Sequence, residues 1–445
     1  MCWSNSSHKL CVMHLVDLLL HPLFEFFLQF KFFTSSFTAK IILDSFISEA
    51  GFSKKYPPVA PLDPLTNLLF LMDFYKKYHI SIGSNIGDRL KNIQSSIDLI
   101  HSRIASILTL SSIYETESIG FEGDDFLNIC ATFNSFKSPY YIMNELLEIE
   151  TLLGRYRSKE KKYVSRIIDI DILLVEDMVI NSEELKIPHL EICNRKFVLE
   201  PLLEIDPNLI HPISKISFKE IFSSFKTNQK VQKKDLCLEN PAHLTNITNY
   251  NYIAVEGNIG SGKTSLSKLI SSDFNTKLML ERFIDNPFLA KFYENPKDFA
   301  FKLEMSFLAD RYQQTSEDLS QLNFFSQNII SDYDIHKSLI FSKINLNSDE
   351  YNLYRKLFYS LYRSIVKPDL IIFLNQTIEN LKTNIKKRGR DYESTISADY
   401  LKKINQSYSE FFKSRPDLNV KFIDVSEMDF GKNRLDYLSI INGIN

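Results

Sequence analysis

Cysteine is scarce in this chain of 445 residues: Cys2, Cys11, Cys130, Cys193 and Cys237 are scattered, odd in number and form no C-x-x-C pair. That excludes a disulfide framework and a thiolate zinc site, and it points to a reducing compartment. Long apolar runs are missing too. Leu10 to Phe33 is rich in Leu and Phe, but Asp17, His21, Pro22, Glu25 and Lys31 interrupt it. It falls short of the about 18 uncharged residues that a membrane-spanning helix needs, and it lacks the charged start and cleavage site of a signal peptide. A net charge of −3 supplies no basic field for nucleic acid. No repeat recurs at solenoid spacing. The expectation is a cytoplasmic protein that works on small molecules, with no membrane or nucleic-acid partner.

What is present is ordinary for soluble globular protein: 44% apolar and 24% charged residues. The length suggests about two or three domains. In residues 1–71, Pro57, Pro58, Pro61 and Pro64 break any regular element. That stretch is expected to be an extension or translated upstream sequence, with Met72 the working start. Residues 72–225 then read as one domain, 226–249 as a polar surface linker, and 250–445 as a second domain.

In the first domain, Tyr78 to Ile82 alternates as a strand, and Asn92 to Ile107 has helical apolar spacing. Leu110 to Thr116 and Asn128 to Phe136 read as strands, Tyr140 to Leu153 as a helix, and Ile167 to Glu176 as a strand. Two β-α-β units with extra strands predict an α+β sandwich of ferredoxin-like type. Its chemistry concentrates in Arg166-Ile167-Ile168-Asp169-Ile170-Asp171. Residues two apart on a strand share a face, so Asp169 and Asp171 point together with Ile168, Ile170 and Ile172 behind them. Two adjacent carboxylates call for cations, and magnesium on phosphate oxygens is the usual partner. Arg155, Arg157, Lys159, Lys161 and Lys162 upstream, with His189 and Arg195 downstream, give a cationic surround suited to polyphosphate.

These residues resemble the 6-hydroxymethyl-7,8-dihydropterin pyrophosphokinases over about residues 78–215. The likeness rests on Gly83-Ser84-Asn85, Ser112-Ile113-Tyr114-Glu115-Thr116, Phe126-Leu127-Asn128, Gly154-Arg155-Tyr156-Arg157, Arg166-x-x-Asp169-x-Asp171 and Pro188-His189 with Asn194-Arg195-x-Phe197. It implies transfer of the β,γ-pyrophosphoryl group of ATP to a pterin hydroxymethyl, with AMP released. By the same resemblance, Asp169 and Asp171 would bind magnesium. Arg155, Arg166, His189 and Arg195 would hold phosphates, with Arg157 and Lys161 on the ATP side. Asn85, Thr116 and Asn128 would face the pterin, and Phe126 and Phe197 would cover its ring.

In the second domain an apolar strand, Tyr252 to Val255, runs into Gly257-Asn258-Ile259-Gly260-Ser261-Gly262-Lys263-Thr264, followed by a helical pattern. Strand, G-x-x-x-x-G-K-T loop and helix together are what a P-loop requires. Its N–H groups face phosphate, Lys263 reaches the outer phosphates, and Thr264 suits magnesium. Downstream, Asp369 to Leu374 is an unbroken apolar strand among helical patterns, so an α/β domain with a parallel sheet is expected.

This region resembles the deoxynucleoside kinases. The carriers are Glu281, Asn286-Pro287-Phe288, Tyr293-Glu294-x-Pro296, Arg311, Lys367-Pro368-Asp369 and Arg388-Gly389-Arg390-x-x-Glu393. The resemblance implies Glu281 as the base near a 5′-hydroxyl, Tyr293 and Glu393 on the 3′-hydroxyl, and Arg388 and Arg390 closing on the phosphoryl. It also implies Glu304 at the nucleobase edge beside Arg311, and a possible homodimer through this domain.

The family usually carries an acidic residue followed by Arg-Ser after its third strand, with an Asp a few residues on. Here the stretch is Ser331-Asp332-Tyr333-Asp334-Ile335-His336-Lys337-Ser338. Aligned without a gap, Asp332 replaces the arginine and Lys337 the aspartate. With one gap, Asp332 takes the magnesium-side position and Tyr333 replaces the arginine, and that version is preferred. Neither restores the arginine. An ionised Glu304 suits guanine, whereas a protonated one suits adenine. The expectation is a purine, deoxyadenosine first, with deoxyguanosine, a broad substrate range, or a catalytically inactive nucleotide-binding module as alternatives.

Overall fold

The computed structural model describes residues 75–444 except 119–122, 156–164, 226–229, 283–285 and 320–327. The expectations for residues 1–71 and for Arg157 and Lys161 fall outside these residues.

Chain order begins with β1 (Lys76–Ser84), α1 (Arg89–Arg103), β2 (Ile107–Leu110), β3 (Ile113–Thr116), β4 (Phe126–Ser135), α2 (Pro139–Leu152) and β5 (Asp169–Val175). After these come a two-strand ribbon of β6 (Ile180–Asn181) and β7 (Lys186–Ile187), then α3 (Lys196–Ile205), α4 (Phe218–Ser224) and β8 (Val231–Lys234). Local signals explain the helix starts: the Asp88 side chain accepts from the Lys91 N–H, and Ser138 does the same for Tyr141 ahead of Pro139. The sheet order is β5-β1-β4-β3-β8, with β2 also on β4, and every pairing is antiparallel. One face carries Ile80, Ile82, Ile129, Ala131, Phe133, Ile170 and Ile172 into a core shared with α1 and α2. The other presents Cys130 and Leu173 to α3 and α4 through Val198, Leu199, Leu202 and Phe218.

Two sequence readings need correction. Ile107 opens β2 rather than extending the first helix, because α1 stops at Arg103 and a buried strand continues the apolar spacing by coincidence. The stretch 226–249 is not a plain surface linker. Val231–Lys234 pairs with Ile113–Thr116 along the sheet edge, and Lys233 and Lys234 bond Glu204 and Glu115 at 2.9 and 2.5 Å. Its charged, non-alternating sequence hid the strand because an edge strand with a solvated face needs little apolar character.

The second half runs β9 (Tyr252–Gly257), α5 (Lys263–Phe274), β10 (Lys277–Met279), α6 (Leu289–Glu294), α7 (Pro296–Leu319), β11 (Ile329–Ser331), α8 (Lys337–Asn345) and α9 (Ser348–Tyr362). β12 (Leu370–Asn375), α10 (Ile378–Arg388), α11 (Ala398–Lys413), β13 (Val420–Asp424) and α12 (Arg434–Asn442) complete it. Its sheet, β10-β11-β9-β12-β13, is parallel throughout. Helices cover both faces, as a parallel sheet demands, with Leu266 and Ile270 of α5 and Ile440 and Ile441 of α12 in one core. Ile340, Ile404 and Tyr408 pack on Ala254 and Phe373 in another.

The two halves meet through polar groups as well. Asp273, near the end of α5, accepts from Ser106 Oγ at 2.8 Å and from Arg434 at 2.8 Å, and Arg434 also reaches the His101 carbonyl. Among the described residues, no helix is long and apolar enough to cross a membrane.

Candidate active sites

Strand register builds the first site. Gly83 of β1 lies opposite Asn128 on β4 and Asp169 on β5, so these residues form one row on one face of the sheet. A side chain at Gly83 would bring its Cβ to 3.0 Å from Asn128 Oδ1, which explains the glycine there. Asn128 Nδ2 donates to Thr116 Oγ1 at 2.9 Å. Asn85 is buried, accepts from the Arg166 N–H at 2.6 Å and donates to the Asp124 carbonyl at 3.0 Å. It therefore ties the start of the aspartate strand to the loop before β4.

Asp169 accepts from both Arg155 and Arg166. Arg155 is also held by Glu150, whose Oε1 accepts from the Ile170 N–H at 2.8 Å. Asp171 lies one row on, with His189 Nε2 at 3.9 Å and Arg195 Nη1 at 4.0 Å from its Oδ2. Burial, and then the neighbouring Asp169 charge, raise the Asp171 carboxyl above its ordinary range. Arg195 lies 5.9 Å from the centre of the Phe197 ring, and Phe126 and Phe197 are both half-buried. The row thus combines two carboxylates with Arg155, Arg166, His189 and Arg195 around them, beside the Asn128–Thr116 pair. Paired carboxylate oxygens beside arginines are a donor set that suits magnesium bound with a polyphosphate.

The second site opens where β9 ends. Gly257 has φ 149°, and a Cβ there would come within 2.8 Å of the Leu374 carbonyl. Gly262 caps α5 at φ 94°, where a Cβ would strike Phe430 at 2.6 Å. Gly260 and Ser261 complete the turn between them. Lys263 Nζ donates to the Gly257 and Asn258 carbonyls at 2.9 Å each, and Asn258 is anchored on the Leu401 carbonyl at 2.8 Å. Burial, helped by the charge of Lys337, brings the Lys263 ammonium down to about 8.

Asp332 bonds the Thr264 hydroxyl and accepts from the Glu281 N–H at 2.7 Å. It stands beside the P-loop threonine. Tyr333 is fully buried against Tyr252, Met279 and Ile329, and it does not line the cavity. Glu281 is clamped from both sides. Arg311 donates to Oε1 at 2.8 and 2.6 Å, and Lys337 Nζ donates to Oε2 at 2.6 Å. Burial pushes the Glu281 carboxyl up, but Lys337 and Arg311 outweigh it and hold it at about 2. Arg311 is further fixed by Ser338 at 2.7 Å, so it braces Glu281.

One cavity joins Lys263, Thr264 and Asp332 to Glu281, Lys337, Glu304 and Asn345, with Tyr293, Arg388, Arg390 and Glu393 also in its wall. Arg388 and Arg390 both bond Glu393, while Tyr293 stacks on Tyr392 at 5.9 Å between ring centres. Glu304 is 2% exposed, and burial pushes its carboxyl up to about 7. Asn345 Nδ2 donates to Glu304 Oε1 at 2.7 Å, and Asn345 Oδ1 accepts from the Tyr400 hydroxyl at 3.0 Å. Among the described residues, Glu304 Oε2 is buried without a hydrogen-bond partner.

The two halves of the chain are each similar to known proteins. The deoxynucleoside kinase family model matches residues 253–445, and that of 7,8-dihydro-6-hydroxymethylpterin-pyrophosphokinase matches residues 79–207. The deoxyguanosine kinase of Bacillus subtilis (strain 168) is 35% identical over 190 residues, which are 42% of this chain and 92% of the relative. The 2-amino-4-hydroxy-6-hydroxymethyldihydropteridine pyrophosphokinase of Aquifex aeolicus (strain VF5) is 38% identical over 144 residues, 32% of this chain and 88% of the relative. The chain belongs to both families. It is a pyrophosphokinase and a deoxynucleoside kinase in one polypeptide. The deoxyadenosine kinase of Dictyostelium discoideum is 34% identical over 167 residues, 36% of this chain but only 66% of that protein's own length.

Sequence reasoning missed several residues of both enzymes. In the pyrophosphokinase half, Glu150 is 2% exposed on the same helix face as Leu146 and Ile149, and an acid at an apolar-face position was the available signal. In the kinase half, Asn345 and Tyr400 come from α8 and α11 and meet only in space. Lys337 was visible only as a departure from the family pattern.

Proposed function

We propose that the pyrophosphokinase site transfers the β,γ-pyrophosphoryl group of ATP to 6-hydroxymethyl-7,8-dihydropterin, and that the kinase site phosphorylates purine deoxynucleosides, deoxyadenosine first. In the first site, Asp169 and Asp171 would hold magnesium, which supplies a charge clamp on the phosphates when bound. Arg155 and Arg166 keep Asp169 oriented, His189 and Arg195 face the polyphosphate, and Asn128 with Thr116 faces the pterin edge. The strand order of this half supports a ferredoxin-like arrangement around the site. In the second, Thr264 and Asp332 are the oxygen donors suited to magnesium. Glu281 orients the 5′-hydroxyl and takes its proton late, since a carboxyl held near 2 accepts a proton only once the oxygen has largely bonded.

The observation that carries the base preference is the buried Glu304 with Oε1 occupied and Oε2 without a partner. Asn345 offers its N–H to Oε1, so Oε1 is the accepting oxygen and Oε2 the one that carries a proton. A protonated Glu304 donates from Oε2 to a ring nitrogen and accepts an amino N–H at Oε1, which is the adenine pattern. Ionised, it accepts at both oxygens, which is the guanine pattern. The test is kcat/KM for the four deoxynucleosides at pH 6.5: deoxyadenosine should rank first, and a preference for thymidine or deoxycytidine would overturn the purine reading. A cytoplasmic location and a homodimer through the kinase half belong to the same proposal.

A further inference from the structure

The arginine that deoxynucleoside kinases usually carry after the third strand is missing here, and the structure places Lys337 in the wall of the kinase cavity. Lys337 is the first residue of α8, and its side chain is 11% exposed. Its ammonium donates to Glu281 Oε2 at 2.6 Å and lies 5.6 Å from the centre of the Phe341 ring. The other cations of the cavity are held on protein oxygens. Arg311 spans Glu281 and Ser338, Lys263 rests on two P-loop carbonyls, and Arg388 and Arg390 bond Glu393. An ammonium has three donors, and Glu281 takes one from Lys337.

The position of Glu281 gives this ammonium its meaning. Asp332 links the Glu281 N–H to Thr264, the P-loop residue beside the outer phosphates. On the proposed role of Glu281 as the base for the 5′-hydroxyl, the Lys337–Glu281 pair stands where acceptor and donor phosphoryl would meet.

We infer that Lys337 is a catalytic residue of the kinase reaction, contacting the equatorial oxygens of the transferring phosphoryl group in place of the absent arginine. In that step the 5′-oxygen forms a bond to the γ-phosphorus, and the bond from that phosphorus to the β-bridging oxygen breaks. The 5′-proton passes to Glu281, and ADP leaves. Lys337 stabilises the charge on the phosphoryl oxygens. As it turns towards them it leaves Glu281 Oε2, so the carboxylate becomes a better proton acceptor as the transfer proceeds.

The test compares Lys337→Gln and Lys337→Arg with the wild-type chain on deoxyadenosine, with pterin transfer as the control for an intact fold. Lys337→Gln should lower kcat by about 10²–10³-fold, the range for removing one preorganised donor, with KM for both substrates within about threefold. Lys337→Arg keeps the charge and should stay within about tenfold of wild type. The inference is overturned if Lys337→Gln keeps kcat, or loses activity through KM alone. It is equally overturned if Lys337→Arg is as inactive as Lys337→Gln. Wild-type turnover on any deoxynucleoside tests the base reading separately, since the Lys337 effect is a ratio to it.

Discussion

Glu304 should make the purine preference depend on pH. Its carboxyl is pushed up to about 7, against 4.5 for an ordinary glutamate, because burial outweighs the Asn345 hydrogen bond. With that value it is roughly nine-tenths protonated at pH 6 and about one-tenth at pH 8. If the protonated form reads adenine and the ionised form guanine, the kcat/KM ratio of deoxyadenosine to deoxyguanosine should fall about 100-fold over that interval. Using the ratio at each pH cancels titrations common to both substrates, including those of Glu281 and ATP. Glu304→Gln turns its amide oxygen to Asn345 and its N–H towards the base, so it should hold the deoxyadenosine pattern at every pH.

Stability supplies an independent reading of the same group. The folded carboxyl keeps its proton to about pH 7, whereas the unfolded one releases it near 4.5. Wild type should therefore lose stability as pH rises through that window, by about 3 kcal/mol, and Glu304→Gln should not. Steady-state kinetics from pH 6 to 8 and urea titrations from pH 4.5 to 8 measure the two effects. A wild-type purine ratio that is flat with pH, or an equal slope in Glu304→Gln, would refute base reading by a titrating Glu304.

Replacing Asp169 and Asp171 by Asn should abolish pyrophosphoryl transfer to the pterin and leave deoxynucleoside phosphorylation near wild type; loss of both activities would contradict separate sites. Lys263→Ala should do the reverse, with ADP production collapsing while AMP release with the pterin survives. Arg434→Ala leaves the Asp273 carboxylate, 5% exposed at the junction of the halves, without its cation. It should cost about 3–5 kcal/mol of stability, read as a lowered thermal midpoint, and an unchanged midpoint would show that the junction contributes nothing.

The parts most legible in the sequence were those whose signal is local. The P-loop announces itself because strand, glycines and helix are contiguous, and Asp169 and Asp171 share a face because strand periodicity leaves no other choice. The parallel sheet of the second half followed from the unbroken apolar run that became β12. Strand β8 was not legible: its partner β3 lies more than a hundred residues earlier, and its lysines answer Glu115 and Glu204 only once the sheet exists. The same limit hid the Tyr400–Asn345–Glu304 chain, whose members lie on three helices. Lys337 shows it most sharply. Alignment marked it as a substitution for an aspartate, and only the fold turns its ammonium onto Glu281.

The most direct measurement is the nucleotide product made by the full chain with each acceptor. Incubation with ATP and 6-hydroxymethyl-7,8-dihydropterin should release AMP in a one-to-one ratio with pterin diphosphate. Incubation with ATP and deoxyadenosine should release ADP in a one-to-one ratio with deoxyadenosine monophosphate. With both acceptors present, the two nucleotides should accumulate together. ADP in place of AMP with the pterin, or the failure of either acceptor to yield product, would contradict two phosphoryl-transfer sites working in one polypeptide.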